Sequence, residues 1–272
     1  TLALAAGIVI GTHVPRRAPD DSLAAAFARL QASLHATVGI AIGPVGSGQE
    51  PLVLGDFRSG AAWSTIKVPL VIAALRAENP PVVTPAMTAA ITESDNAAAE
   101  SLWTGLGDPT GAAQAVDAVL RQAGDPTSVE SRRIRPEFSA FGQTEWALAD
   151  QVRFVSAAWC DRSNAPVFAL MGAGRRRAAL GGIGVVDGAR FKGGWGPSVT
   201  GGYLVRQVGG AGHTRWSDRD CACRTTRFGS VRRRYRRPVD DRRLADVASR
   251  GAAHRQLRLT IGKRGRCFRR YT

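Results

Sequence analysis

The sequence is poor in the residues that bind metals. Its four histidines are scattered, and none pairs with another histidine or a cysteine at a zinc-ligand spacing. The four cysteines match neither the common zinc spacings nor a dense disulfide framework (Cys160, Cys221, Cys223 and Cys267). The composition therefore argues against a metal-dependent hydrolase, and we expect neither a metal nor a cofactor.

The sequence also lacks a long apolar run at its start. The stretch "LALAAGIVI" is too short to cross a bilayer, and the proline-containing "GTHVPRRAPDD" follows it. We interpret residues 1–21 as the remnant of an export signal or membrane anchor with a linker. A buried strand or helical turn fits the apolar run equally well.

Glutamate is absent after residue 210, and positive charge is concentrated there. Of the net charge of +15, residues 211–272 carry +14, from 18 arginines, one lysine and five aspartates. Two interpretations stay open for this tail. It is either a frame-shifted segment or a disordered basic arm, centred on "SVRRRYRRP", for nucleic acid or anionic lipid. It contains no recognisable nucleic-acid-binding motif, so we expect no specific nucleic-acid partner.

Residues 22–210 have the patterns of a folded domain. "DDSLAAAFARLQASL" predicts a first helix, and "ATVGIAIGPV" with "EPLVLGDF" predicts a hairpin. A mainly helical part follows over about residues 64–160. "ARFKGGWGPS" and "GGYLVRQVGG" then predict two more strands. This order indicates an α+β fold, with an antiparallel sheet and helices segregated from it.

The stretch "AAWSTIKVPLVIAAL" contains one of only three lysines in the chain. Ser64 and Lys67 are three residues apart, so they lie on the same face of a helix and their side chains can meet. A lysine with a lowered pKa can activate a serine, whereas an arginine stays protonated at working pH. A capping serine beside a solvated lysine would give the same local pattern.

Two further elements give the pair a chemical context. "ESDNAAAESLW" contains Ser94 and Asn96, and "RFKGGWG" contains Lys192 and Gly194. S-x-x-K, S-D-N and K-[TSG]-G in this order resemble the motifs of the class A β-lactamase and penicillin-binding serine hydrolase superfamily. The resemblance spans about residues 22–209. It implies a β-lactamase/transpeptidase-like fold, and the short spacing between the first two motifs indicates an abbreviated all-helical subdomain.

The resemblance implies a role for each catalytic side chain. Ser64 is the nucleophile and Lys67 is its general base. Ser94 relays a proton to the leaving nitrogen. Lys192 lowers the pKa of Lys67 and attracts the substrate carboxylate.

The resemblance also implies three substrate-binding residues. Asn96 holds the amide side chain of the substrate, and Gly194 belongs to the strand that lies beside the substrate. The backbone N–H groups of Ser64 and Trp195 form the oxyanion hole.

Several residues depart from the class A pattern. "RIRPEFS" aligns with R-x-E-P-E-L-N, so Arg135 stands where the family has the glutamate that activates the deacylating water. An arginine cannot deprotonate water, although Glu130 and Glu137 flank the position. Gly193 lacks the hydroxyl that contacts the substrate carboxylate. Pro69 predicts a local kink in the nucleophile helix.

These observations predict a secreted or cell-envelope serine hydrolase. We expect it to be monomeric, to be acylated through Ser64 by β-lactams or D-alanyl-type cell-wall peptides, and to deacylate slowly. A catalytically silent binder of the same peptides is an alternative, and a nucleic-acid-binding protein that acts through the basic tail is another.

Overall fold

The structure is a computed structural model. It describes residues 23–34, 36–46, 48–174, 183, 188–199, 201–211 and 224–234. The predicted export remnant and most of the basic tail lie outside these residues. Among the helices described, none is long and apolar enough to cross a membrane.

The main sheet has five antiparallel strands: β1 (Ala36–Val45), β2 (Leu52–Gly55), β5 (Ala189–Pro197), β6 (Gly202–Ala211) and β7 (Arg224–Arg234). Their order across the sheet is β2-β1-β7-β6-β5. β1 and β2 form the predicted first hairpin, and β5 and β6 form the second. The α+β prediction is confirmed.

Strand β7 was not predicted. The sequence shows no clear apolar period after residue 210, yet β7 pairs with β1 on one side and with β6 on the other. An arginine-rich segment does not show the apolar alternation of a half-buried strand. Its place depends on backbone hydrogen bonds to two neighbours, which a local pattern does not reveal.

A second, two-stranded sheet lies beside the nucleophile motif. It pairs β3 (Ser59–Ala61) with β4 (Glu145–Ala147). The Ala62 nitrogen donates to the Thr144 carbonyl at 2.8 Å, and the Leu148 nitrogen donates to the Arg58 carbonyl at 2.8 Å. These bonds extend the pairing to the start of the motif and to the helix after β4.

The helices are arranged around one apolar core. α2 (Lys67–Ala77) is buried along most of its length because its sequence, "KVPLVIAALRA", is apolar from Val68 to Leu75. The helices are α1 (Leu23–Ala32), α2 (Lys67–Ala77), α3 (Pro85–Thr92), α4 (Asn96–Gly105), α5 (Pro109–Gln122), α6 (Leu148–Ala158) and α7 (Ala165–Ala173). The part predicted as mainly helical is therefore interrupted by β4.

Pro69 lies near the start of the nucleophile helix. α2 begins at Lys67, so Pro69 lies in its first turn, and α2 continues to Ala77. Backbone N–H groups in a first turn have no partner inside the helix, so a proline there removes no helical hydrogen bond.

Candidate active site

The nucleophile motif begins with a strained turn. Trp63 has a φ of 49°, in the left-handed region that side chains other than glycine rarely adopt. The 3-10 helix Trp63–Ile66 carries the half-buried Ser64. The Thr65 hydroxyl donates to the Ala62 carbonyl at 2.6 Å, and Gln151 Nε2 donates to that hydroxyl at 3.0 Å. Such strain persists only where surrounding contacts fix it, and it is concentrated at functional sites.

Lys67 is the first residue of α2, and it is only 1% exposed. Its Nζ donates to the Ser94 carbonyl at 2.6 Å and to Asn96 Oδ1 at 2.7 Å. Burial lowers the pKa of Lys67 to about 8, and the negative charges of Asp95 and Glu100 oppose that shift. At neutral pH a minor fraction of Lys67 is thus neutral and able to accept a proton.

The S-D-N motif forms the turn into α4. Ser94 has a φ of 60°. Asp95 caps α4 by accepting from the Ala98 nitrogen at 2.7 Å. The turn directs the Ser94 carbonyl to Lys67 and leaves Asn96 exposed on the first residue of α4.

Lys192, on β5, joins the third motif to the second. It is 3% exposed, and its Nζ donates to Ser94 Oγ at 2.7 Å and to the Gly193 carbonyl at 2.8 Å. Burial and the positive charge of Lys67 lower its pKa well below the usual value for lysine. The pKa of Lys67 is lowered as expected, but the cause is burial rather than Lys192, and it is Lys67 that lowers the pKa of Lys192.

Strand β5 lies directly against the nucleophile turn at two glycines. A β-carbon on Gly194 would lie 2.8 Å from the Ser64 nitrogen, and one on Gly196 would lie 2.5 Å from the Trp63 ring. Only glycine allows this approach. Trp195, between the two glycines, is 37% exposed. The chain thus brings β5 to the backbone nitrogen that the resemblance assigns to the oxyanion hole.

The loop with "RIRPEFS" is attached to the end of β5. Arg135 Nη1 donates to the Pro197 carbonyl at 2.7 Å, and Nη2 lies 3.2 Å from Glu137 Oε1. The Arg135 guanidinium also lies over the Phe138 ring, 4.3 Å from its centroid. The ring of Phe138 meets Trp63 edge-on at 4.9 Å, so the loop packs on the nucleophile turn.

The two flanking carboxylates are both engaged by arginines of the loop. Glu130 Oε1 accepts from the Arg132 nitrogen at 2.8 Å, and Glu137 pairs with Arg135. Across the part of the chain that the structure describes, neither carboxylate is hydrogen-bonded to Ser64 or Lys67. The loop therefore supplies no base that is already in contact with the nucleophile.

Hydrogen bonds join the residues of the three motifs, with the exception of the Ser64 hydroxyl. Lys67, Ser94, Asn96 and Lys192 form one hydrogen-bonded network. The Ser64 hydroxyl makes no hydrogen bond among the described residues. Catalytic hydrogen bonds are often long before substrate binds, so an unbonded Ser64 hydroxyl is compatible with the role of nucleophile.

Sequence patterns missed the polar residues that support the turn, such as Gln151. It is fully buried on α6, and a lone amide among apolar residues at helical spacing is the signal that could have indicated it. Within the described ranges, no three His, Cys, Asp or Glu side chains are placed to hold a metal ion.

Comparison of the fold with solved structures identifies its class. The β-lactamase of Vibrio parahaemolyticus matches with a TM-score of 0.59 and 13% identity, over 89% of this chain and 100% of that one. A β-lactamase from Xanthomonas campestris matches with a TM-score of 0.58 and 19% identity, over 88% and 97%. The chain therefore has a β-lactamase-like fold, as the motifs predicted.

Within that class, the similarity extends to the class A enzymes. An ancestral class A β-lactamase matches with a TM-score of 0.57 and 18% identity, over 88% of this chain and 100% of that one. No protein-family model and no curated protein matches the sequence. At these identities the similarity defines the fold of the chain, and function must be argued from the site.

Proposed function

We propose that the chain is a serine hydrolase of the β-lactamase and D,D-peptidase type that is acylated through Ser64 and deacylates slowly. The observation that carries the proposal is the buried network of Lys67, Ser94 and Lys192 beside Ser64. Two lysine side chains, each 3% exposed or less, are costly to bury and are seldom retained without a chemical task.

The acylation step uses the groups of this network in turn. Ser64 Oγ attacks the carbonyl carbon of a β-lactam or D-alanyl amide, and Lys67 Nζ accepts the serine proton. The tetrahedral intermediate collapses, an ester forms at Ser64, and the C–N bond breaks. The proton passes through the Ser94 hydroxyl to the leaving nitrogen. Lys192 donates a hydrogen bond to the Ser94 hydroxyl and so holds the hydroxyl oxygen in place for this transfer.

The substrate is held by groups on both sides of Ser64. Asn96 Oδ1 accepts from Lys67, so its Nδ2 is directed to an amide carbonyl of the substrate. Strand β5 approaches the Ser64 nitrogen at Gly194, and in the proposal the N–H groups of Ser64 and Trp195 together stabilise the oxyanion. Lys192 supplies positive charge for a carboxylate, but Gly193 adds no hydroxyl, so such carboxylates should bind weakly.

Slow deacylation follows from Arg135. The side chain is engaged by the Pro197 carbonyl and by Glu137, and a guanidinium cannot take a proton from water. The acyl ester on Ser64 therefore lacks the carboxylate that would activate its hydrolysis. The acyl form should persist.

A catalytically silent binder of cell-wall peptides is the second candidate. It is favoured by the position of Lys67 Nζ, whose hydrogen bonds go to Ser94 and Asn96 rather than to Ser64. In that case the cleft would bind the substrate without forming an ester.

The proposed substrates imply where the protein acts. Cell-wall peptides and β-lactams are met outside the cytoplasmic membrane, so the proposed function requires export to the cell envelope or beyond. The apolar run at residues 2–10 would be part of the export signal or an anchor.

The test is covalent labelling of the full chain by a fluorescent penicillin, with Ser64→Ala as the control. We expect stoichiometric labelling of the wild type, an adduct located on Ser64 by mass spectrometry, and no labelling of the variant. Reversible penicillin binding without any adduct would instead support the silent binder. Equal labelling of wild type and Ser64→Ala would overturn the assignment of the nucleophile.

A further inference from the structure

Arg206 is a buried cation next to the nucleophile turn, and neither the motifs nor the proposed mechanism uses it. It lies on β6, and its side chain is 1% exposed. Nη1 donates to the Gly60 carbonyl at 2.6 Å and to the Ala61 carbonyl at 2.9 Å, and Nη2 donates to the Trp146 carbonyl at 2.9 Å. One guanidinium thus joins β6 of the main sheet to both strands of the small sheet.

The charge of Arg206 is buried at a cost to the stability of the folded state. Burial lowers its pKa to about 9, which leaves it protonated at neutral pH, and only the negative charge of Glu145 opposes the shift. Among the described residues, its Nε has no hydrogen-bond partner. A buried charge with an unsatisfied donor and no paired carboxylate destabilises the folded state unless its other contacts are good. Arg206 is therefore not explained by stability alone.

The position of Arg206 relates it to the oxyanion hole. In the β5–β6 pair, Arg206 is opposite Gly194. Directly opposed residues of an antiparallel pair share a face of the sheet, so Arg206 is on the face where Gly194 approaches the Ser64 nitrogen. Its acceptors Gly60 and Ala61 come just before the turn that carries Ser64.

We infer that Arg206 is a positioning residue of the oxyanion hole, an inference that rests on the proposed function. It holds the segment before Ser64 against the sheet at the level of Gly194. It thereby fixes the spacing between the Ser64 N–H on the turn and the Trp195 N–H on β5. Displacing such donors by a fraction of an ångström weakens their bonds to the developing oxyanion, and catalysis is sensitive to displacements of this size.

The inference predicts a specific kinetic effect. Arg206→Lys keeps the charge, but an ammonium on a flexible stem cannot bond three separated carbonyls as the planar guanidinium does. The rate of acylation at saturating penicillin should fall roughly tenfold or more, because a lost oxyanion donor costs about 10²- to 10³-fold and a displaced donor less. The concentration giving half-maximal rate should change little, because ground-state contacts are elsewhere.

The experiment compares full-length wild type with Arg206→Lys, Arg206→Met and a control, Leu204→Ala. Leu204 is buried on the same strand and its side chain lies close to Gly60, so its truncation weakens the packing of β6 without removing any of the guanidinium hydrogen bonds. The saturating rate constant is measured on the molecules that become labelled, and the labelling amplitude reports the folded fraction. Infrared spectra with a carbonyl-labelled penicillin give the stretching frequency of the acyl ester, which rises when oxyanion-hole hydrogen bonds weaken.

We expect both Arg206 variants to acylate slowly and to show a higher ester frequency, whereas Leu204→Ala keeps the wild-type values. An unchanged frequency and rate in Arg206→Lys would overturn the inference and leave the proposed function intact. Failure of both Arg206 variants to fold, with Leu204→Ala folded, would make Arg206 a structural residue and also overturn it. Absence of any Ser64 adduct in the wild type would overturn the proposed function, and this inference with it.

Discussion

Lys192 donates a hydrogen bond to the Ser94 hydroxyl at 2.7 Å, across 98 residues of sequence. The bond connects a strand of the main sheet to the turn before α4. Because Lys67 contacts the carbonyl of the same serine, Ser94 stands between two buried amines. The hydroxyl contacts Lys192 and the carbonyl contacts Lys67, so the proposed transfer of a proton through Ser94 to the leaving nitrogen uses a hydroxyl that Lys192 holds in place.

Replacing Lys67 with arginine should slow acylation by orders of magnitude. The substitution keeps the positive charge and approximate length, but the guanidinium stays protonated and cannot accept the Ser64 proton. Labelling by a fluorescent penicillin should slow by roughly 10²- to 10⁴-fold, the usual contribution of a general base. Lys263→Arg, the same change outside the described residues, serves as the control. Labelling of Lys67→Arg at a rate near that of the wild type would refute the assignment of the base.

The rate of acylation should rise with pH and reach half its maximum near pH 8. Burial lowers the pKa of Lys67 to about 8, and only the neutral amine can act as the base. The rate should therefore drop about tenfold per pH unit below pH 7 and level off above pH 9. Labelling is followed at saturating penicillin, with its amplitude as a measure of intact protein. A rate that does not change between pH 6 and pH 9 would contradict the role given to Lys67.

Gly194→Ala should impair acylation much more than it impairs folding. Its β-carbon would lie 2.8 Å from the Ser64 nitrogen and 2.9 Å from the Thr65 nitrogen, so the turn must move away from β5. A displaced oxyanion donor should lower the rate roughly tenfold or more. Gly105→Ala is the matched control, since a β-carbon there meets nothing within 4 Å. Equal labelling rates in the two variants would show that β5 does not form the oxyanion hole.

Binding to nucleic acid, if it occurs, should be non-specific and sensitive to salt. Residues 211–272 carry +14 of the net charge, but β7 comes from this segment and lies inside the sheet. A truncated chain would therefore lose a strand, and the full chain must be used. Affinity for duplex DNA should fall about 10³-fold between 50 and 200 mM salt if some six phosphates are contacted, with no preference between sequences. A preferred sequence at physiological salt would restore the nucleic-acid hypothesis.

The sequence predicted the parts of the fold that depend on local pattern. The helix at Leu23–Ala32 and the hairpins β1–β2 and β5–β6 follow from apolar spacing and glycine-rich turns. β7 could not be predicted in this way, because its place is decided by pairing with strands far away in sequence. Local patterns report which face of a segment is apolar, not which partner it finds.

The candidate site was predictable to the extent that its motifs are contiguous. Ser94 and Lys192 were named from three-residue signatures, and the structure connects them. Arg206 has no such signature, because one arginine in an arginine-rich chain is unremarkable until the sheet buries it opposite Gly194. Its hydrogen bonds to Gly60 and Trp146 are to backbone carbonyls, which every residue has, so no residue type in the sequence predicts them.

Arg135 gives the prediction with the most direct chemical readout. If the wild type acylates but cannot activate water, mass spectrometry should show an adduct on Ser64 that lasts for minutes or more after a brief exposure to penicillin. Arg135→Glu places a carboxylate on the loop that packs against the nucleophile turn. General-base catalysis by that group should accelerate ester hydrolysis by roughly 10²- to 10⁴-fold, so turnover should appear or rise.

The control for this change is Arg135→Gln. Both variants lose the bond to the Pro197 carbonyl and the cation over Phe138, so a looser loop affects them equally. Only the glutamate supplies a base, and its effect should increase with pH as the carboxylate ionises, whereas the glutamine variant should keep a persistent adduct. Rapid turnover by the wild type, or equal hydrolysis rates in the two variants, would show that Arg135 does not occupy the deacylation position and that "RIRPEFS" aligns differently with the class A loop.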